Sequence, residues 1–333
     1  MTRRGWLLCA ILLAACGDDD GEASQVDGGS SDPDAPGGSP GEVLRVEGRF
    51  LLDRCGHRLV IRGVEQIFGL GIDVGGSWSS LVDQIAMTGA NTVRILPNLS
   101  QLDTADVDAI LTQITSHDMV AFVSPGDRSW FLREDVKTML AAHEGWIVVD
   151  AFQEPTYDDR ARWKSDVLAA ITEVRGAGYR VPVCVLANQY GRDLPSIFMD
   201  GAEIEAGDPL HGTILGWQSY WGSTGYYQST YGMSLTEGIE RAAEQSFPVQ
   251  SGILRITDGT TEMMDYAGVM AAAEAQEIGW LWWDWYNPFD SMPNGLTNDG
   301  TMAGMTDFGM AVVSSDPASL ANTSVKACRP PGS

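Results

Sequence analysis

From residue 43 onward, short apolar runs alternate with helix-length amphipathic stretches, and this alternation limits the fold more than any other feature. The strand-like runs are 60–64, 91–96, 119–123, 147–152, 181–186, 213–218, 248–254 and 279–283. Between them, 78–88, 107–115, 160–176, 235–245 and 266–276 repeat apolar residues at helical spacing. Val107, Ile110, Leu111 and Ile114, for example, share one face. Eight apolar strands with intervening helices predict a (β/α)8 TIM barrel in the α/β class. A doubly wound open sheet is the structural rival. No GxGxxG or P-loop follows any strand, which removes that rival's nucleotide functions. Upstream, 44–51 and 58–61 predict a short N-terminal β-hairpin with its turn at Asp53-Arg54-Cys55-Gly56.

Residues 1–16 read as a targeting segment. Arg3 and Arg4 precede a short apolar stretch at 6–13, which is followed by Leu13-Ala14-Ala15-Cys16. Small residues before a Cys are the pattern of a bacterial lipoprotein signal, so Cys16 is expected to carry lipid after cleavage; a plain secretory peptide is the alternative. The apolar run is too short to be a permanent membrane span. Residues 17–42 are rich in Gly, Ser, Asp and Pro and nearly free of apolar side chains, which predicts a disordered acidic linker. The chain is therefore expected to be an exported lipoprotein, held at a membrane through its lipid alone, with the barrel at 43–333.

The net charge is −24. Residues 1–40 hold seven of the 45 acids and two of the 21 bases, which leaves 38 acids against 19 bases in the folded part. Such a surface repels nucleic acid and polyanionic substrates and favours a neutral partner. Eleven Trp residues are many for one chain, and neutral sugars stack on aromatic faces. Of the five Cys, Cys9 lies in the signal, which leaves Cys55, Cys184 and Cys328 in an oxidising compartment. In a closed barrel both termini reach the bottom face, so a Cys55–Cys328 bridge is expected. Cys184 lies in an apolar run and reads as a buried free thiol. No His/Cys cluster has metal-ligand spacing, so neither a metal nor a cofactor is expected. His57, His117, His143 and His211 are isolated and read as surface or turn residues, and a calcium loop around Asn298-Asp299-Gly300 is a weak reading.

Barrel chemistry sits at the C-terminal strand ends. Reading those ends gives Glu65, Gln66, Asn98, Gly126, Asp127, Gln153, Glu154, Asn188, Gln189, Gln218, Tyr220, Ile253 and 283–285, a mixture of amides, acids and aromatics suited to a hydroxyl-rich ligand. The segments VLRVEGRFLLDRCGHRLVIRGVEQ (43–66), GANTVRI (89–95), WIVVDAFQEP (146–155), FPVQSGI (247–253) and GWLWWDW (279–285) resemble glycoside hydrolase family 5, nearest to its endo-β-mannanases and cellulases. The resemblance implies a site-shaping role for Arg94 and makes Glu154, in Gln153-Glu154-Pro155, the acid/base. Gln153 replaces the family's Asn. Gly126-Asp127 lacks the family's His, and Gln218-Ser219-Tyr220 keeps the Tyr but not the His. Trp283 matches the strand-8 Trp. The largest departure is on strand 7, where Gly252-Ile253 puts an aliphatic residue at the nucleophile position.

A retaining glycosidase needs two carboxylates roughly 5–5.5 Å apart. Ile253 cannot attack an anomeric carbon, so binding of β-mannan or β-glucan with weak or no hydrolysis is the first expectation. An active endo-β-glycosidase, with Asp258, Glu65 or Asp284 as a relocated second acid, is the second. A structural barrel with no carbohydrate role is the third. Trp217, Trp221, Tyr226 and Tyr227, with Trp130, are candidates for a sugar-stacking platform, or else pack as core.

Overall fold

In the computed structural model, residues 43–70, 77–219, 224–252, 265–288 and 295–330 are described. The targeting segment with Cys16, the 17–42 linker, and Tyr220, Trp221, Ile253, Asp258 and the side chain of Tyr226 lie outside them. Eight parallel strands form a closed barrel: β3 (Arg62–Phe68), β4 (Thr92–Pro97), β5 (Val120–Val123), β6 (Ile147–Phe152), β7 (Val183–Leu186), β8 (Thr213–Gln218), β9 (Val249–Gly252) and β10 (Gly279–Trp282). The ring closes where β10 pairs with both β9 and β3. Ahead of it stand β1 (Arg45–Glu47) and β2 (Phe50–Leu52), an antiparallel hairpin.

Alternation along each strand sorts the core into two layers. Val64, Val93, Ile95, Val149, Val185, Leu215, Trp217, Trp280 and Trp282 face outward in one buried cluster. That cluster includes the inner faces of helices α1 (Trp78–Ala86), α2 (Thr104–Ser116), α3 (Glu134–Ala141), α4 (Arg160–Gly176), α5 (Leu194–Ala206), α7 (Leu235–Ala243) and α8 (Tyr266–Ala275). Another helix, α6 (Thr224–Tyr231), follows β8. Phe122, Val148, Cys184, Leu186, Ile214 and Leu281 fill the barrel, joined by Leu44, Leu51 and Leu59 from the hairpin region, which plugs one end. Close packing reaches the backbone at Gly63, where a Cβ would stand 1.9 Å from the Thr92 carbonyl oxygen.

Two expectations need correction. The hairpin turns at Gly48 and Arg49, earlier than predicted, because Arg45 pairs with Leu52 and Glu47 with Phe50. The Asp53–Gly56 segment makes a second turn, in which Asp53 Oδ1 accepts from the Cys55 and His57 amides at 2.9 Å each. Strand β3 runs to Phe68, four residues beyond the predicted 60–64, since Glu65 through Phe68 pair one for one with Arg94 through Pro97. Glu65 is therefore a mid-strand residue below the barrel mouth.

Both ends of the barrel chain meet at the plugged face. Cys55 and Cys328 are disulfide-bonded, with Cα atoms 5.8 Å apart at a sequence separation of 273. Asp53 Oδ2 accepts from the Cys328 amide at 2.9 Å, so one carboxylate holds both sides of the bridge. Cys184 is a buried free thiol. No helix among the described residues is long and apolar enough to cross a membrane.

Candidate active site

Three charged side chains from different strands meet inside the mouth. Arg94 on β4 donates from Nη1 to Glu65 Oε1 on β3 at 3.1 Å, and from Nη2 to Asp150 Oδ2 on β6. Ser124, just past β5, accepts from Arg94 Nη2 at 3.1 Å and donates to Asp150 Oδ2 at 2.7 Å. All four are buried. Burial works against the Arg94 charge, and Glu65 and Asp150 overcome it, holding the guanidinium above its usual range. Burial also pushes the Glu65 carboxyl up; Arg94 pulls it down, and Asp150 and Glu154 push it up again, leaving it at about 7. Glu65 Oε2, Arg94 Nε and Asp150 Oδ1 are buried with no hydrogen-bond partner, so the network is not closed upon itself.

Glu154 follows β6 and is exposed, in a left-handed backbone conformation at φ 46°. That conformation strains a residue with a Cβ and persists only where neighbours impose it. The neighbours are in the loop after β7. The Tyr190 amide donates to the Pro155 carbonyl at 2.9 Å. Asn188 accepts from the Tyr157 amide and donates to its carbonyl, both at 2.9 Å, and Gln189 donates to that carbonyl at 2.7 Å. Gln189 and Tyr190 are themselves left-handed, at φ 54° and 60°.

The remaining candidates divide. Gln218 is fully buried at the end of β8, packed so closely on Gly191 that a Cβ there would lie 2.9 Å from its Cγ. Neither atom of its amide has a partner. Gln153 and Trp283 are half-buried beside the mouth. Asp127 is exposed, and its oxygens accept from the Ser129 amide and hydroxyl at 2.9 and 2.8 Å. The Ser129 hydroxyl, then its amide, holds Asp127 below the usual carboxylate range. Asp284 is fully buried, with Gly295 packed against it.

Of the aromatic candidates, the three whose side chains are described are packed inside the protein. Trp217 and Tyr227 are fully buried, edge to face at 5.7 Å, with Trp217 Nε1 donating to the Tyr227 hydroxyl at 3.0 Å. Trp217 faces the helices because Gln218, next along β8, faces the mouth. Trp130 is also core, against Phe131. Among the described residues, an exposed aromatic near Glu154 is Tyr190, 46% accessible, with Arg192 5.3 Å from its ring. Asp299 turns its Oδ1 back to the Thr301 amide and hydroxyl at 2.9 and 2.8 Å. Each His sits against a carboxylate away from the mouth, and His143, paired with Asp108 at 2.8 Å, is a turn residue that is buried. Among the described residues, Cys55, His57 and Cys328 are the one cluster with metal-ligand proximity, and the two cysteines are oxidised.

Asp150 and Ser124 escaped sequence reasoning. The available signal was a lone acid inside the apolar β6 run, two residues from Val148 and therefore on the same inward face.

No family model matches the chain. It is 23% identical over 324 residues to the mannan endo-1,4-beta-mannosidase of Streptomyces lividans, covering 87% of this chain and 77% of that protein. Among solved structures, the catalytic domain of a mannanase from Streptomyces sp. SirexAA-E superposes with a TM-score of 0.74 at 21% identity, over 90% of this chain and 98% of that one. The mannotriose complex of the Thermomonospora fusca beta-mannanase gives 0.73 at 20% identity, over 86% and 98%. Motifs, relatives and barrel agree: the chain is a (β/α)8 barrel similar to the mannanases and cellulases of glycoside hydrolase family 5.

Proposed function

We propose that this protein is an exported, lipid-anchored receptor for neutral β-mannan or β-glucan, with little or no hydrolysis of what it binds. One observation carries the reading: β9 leads through Gly252 into Ile253, where the resemblance calls for a nucleophilic carboxylate. Two-step retention needs that oxygen. Among the described residues, the other acids near Glu154 are committed: Glu65 and Asp150 to Arg94, and Asp127 to Ser129. Binding has separate support. Among the described residues the buried Gln218 amide has no hydrogen-bond partner, Tyr190 offers an exposed ring, and the surface is acidic. Relatives of this fold have been solved with mannotriose and mannohexaose. Cys16 and the polar 17–42 stretch support attachment to a membrane through lipid and a tether.

The active reading keeps one specific support. Glu65 holds its proton to about pH 7, partly because Glu154 repels its charge. A carboxyl that keeps its proton near neutral pH is what a general acid requires. Retention on insoluble mannan and cellulose, measured beside turnover of soluble mannan, glucomannan and carboxymethylcellulose, separates the readings. Retention without turnover is the expected result. Turnover that Glu154→Ala and Glu65→Gln both abolish establishes the enzyme instead, and absence of retention and turnover alike leaves a structural barrel.

A further inference from the structure

Cys55 and His57 share the turn after β2, and Cys328 comes from the far end of the chain. One buried carboxylate places all three. Asp53, 3% exposed, accepts from the Cys55 and His57 amides through Oδ1 and from the Cys328 amide through Oδ2, each at 2.9 Å. Its own amide donates to the His57 carbonyl at 2.8 Å. The three backbones are therefore held by hydrogen bonds in which no sulfur takes part, and opening the disulfide leaves those bonds in place.

Around this frame, one side-chain donor atom each from Cys55, His57 and Cys328 lies within 4.8 Å of the other two. Cys55 and His57 are exposed and Cys328 is half-buried, so reductant, metal and water reach the cluster from solvent. Sulfurs in a disulfide stand about 2.0 Å apart. Two thiolates on one tetrahedral zinc, each at about 2.3 Å, stand roughly 3.8 Å apart. Rotation about the two Cα–Cβ bonds covers that difference with the Cα atoms still 5.8 Å apart. Two thiolates and an imidazole are a soft donor set that suits Zn²⁺ rather than Ca²⁺ or Mg²⁺, and water from the exposed side completes the tetrahedron. The thiolates also cancel the charge of the dication, which suits a turn faced by the Arg45 guanidinium at Gly56.

We infer that Cys55, His57 and Cys328 form a zinc site when the disulfide is reduced, so that the two ends of the barrel chain are joined by a sulfur–sulfur bond in the oxidised protein and by a metal ion in the reduced one. A dithiol reductant supplies two electrons, breaks the Cys55–Cys328 bond and leaves as a disulfide, while its two protons pass to the two sulfurs. Zn²⁺ then displaces both protons as it binds. The two links exclude each other, because each uses both sulfurs. Either one closes the same long loop and so restrains the same unfolded chain. The site is independent of what the barrel mouth binds.

The test uses the untagged full chain, reduced with dithiothreitol, desalted without oxygen and titrated with Co²⁺ and then Zn²⁺. Co²⁺ is expected to develop the absorption of a tetrahedral thiolate complex, saturating at one equivalent, and one equivalent of Zn²⁺ should displace it. Zn²⁺ should also return at least half of the Tm lost on reduction, and the oxidised chain should bind neither metal. Cys55→Ser/Cys328→Ser keeps every other cysteine and should show no thiolate band. His57→Ala should still form the disulfide, yet bind Zn²⁺ at least ten-fold more weakly once reduced. The site is overturned by a reduced wild type without the thiolate band, by an equal band in the double variant, by equal Zn²⁺ affinity in the oxidised and reduced chains, or by full affinity in His57→Ala. A reduced chain that unfolds and is not recovered by Zn²⁺ overturns it as well.

Discussion

Glu65 accepts a hydrogen bond from Arg94 at 3.1 Å inside the barrel, yet its carboxyl keeps a proton up to about pH 7. An opposite charge at that distance ordinarily favours ionisation. Complete burial outweighs it, and Arg94 divides its guanidinium between Glu65 and Asp150.

The pH dependence of stability follows in sign. The group titrates near 4.5 in the unfolded chain and near 7 in the folded one, so the folded state binds this proton more tightly. Its contribution is fully present below about 4.5 and is lost as pH rises through about 7. Glu65→Gln removes that slope, worth on the order of 3 kcal/mol across the window. Tm measured from pH 4.5 to 7.5 should therefore fall less in the variant than in the wild type; parallel curves would contradict the coupling.

Restoring the absent oxygen tests the functional reading. Ile253→Glu supplies a second carboxylate at the sequence position where the family resemblance calls for one. Reducing-sugar release from mannan should rise at least ten-fold above the wild type, a barrier change of about 1.4 kcal/mol. The double variant Ile253→Glu/Glu154→Gln should return to the wild-type level. A wild type already faster than Ile253→Glu would mean that the native site uses another acid.

Apolar runs at barrel spacing carried the architecture, because a parallel barrel buries both faces of every strand. Register was not legible: only the pairing of Glu65 through Phe68 with Arg94 through Pro97 shows that Glu65 lies below the mouth. Period-two alternation fixes the face in principle: Trp217, beside inward-facing Gln218, packs in the core, while Asp150 is an inward-facing acid hidden in an apolar run. Helix α5 lacked a clean apolar stripe because it contains Pro195 and Gly201, and a Cβ at Gly201 would meet Phe247 at 2.4 Å. Tyr190 gave no signal, since its exposure depends on left-handed backbone at Gln189 and Tyr190, and neither is a glycine.

Tyr190 should matter for binding rather than folding. It is 46% exposed on the loop whose amide holds Pro155, so truncation removes a ring without opening the core. Tyr190→Ala should weaken mannohexaose binding about five- to ten-fold, roughly 1–1.4 kcal/mol, with Tm unchanged within a degree or two. Tyr190→Phe should bind like the wild type. A Tyr190→Ala variant with full affinity would remove this ring from the site.

The bridge at the plugged face should stabilise the barrel without shaping its site. Cys55 and Cys328 span nearly the whole folded chain, so their bond removes much of the unfolded ensemble's freedom. Loop-closure entropy gives about 4–5 kcal/mol for so long a span, and removing a native bridge typically costs about 2–5 kcal/mol. Asp53 retains part of the same contact through the Cys55, His57 and Cys328 amides. The double variant Cys55→Ser/Cys328→Ser should therefore lose about 2–4 kcal/mol in denaturant melts while still folding, and added thiol reductant should destabilise the wild type but not the variant. Because Glu154 and Gln218 stand at the opposite end of the strands, glycan affinity below the melting range should be unaffected. A loss of affinity that parallels the loss of stability would mean that the two ends of the barrel are coupled.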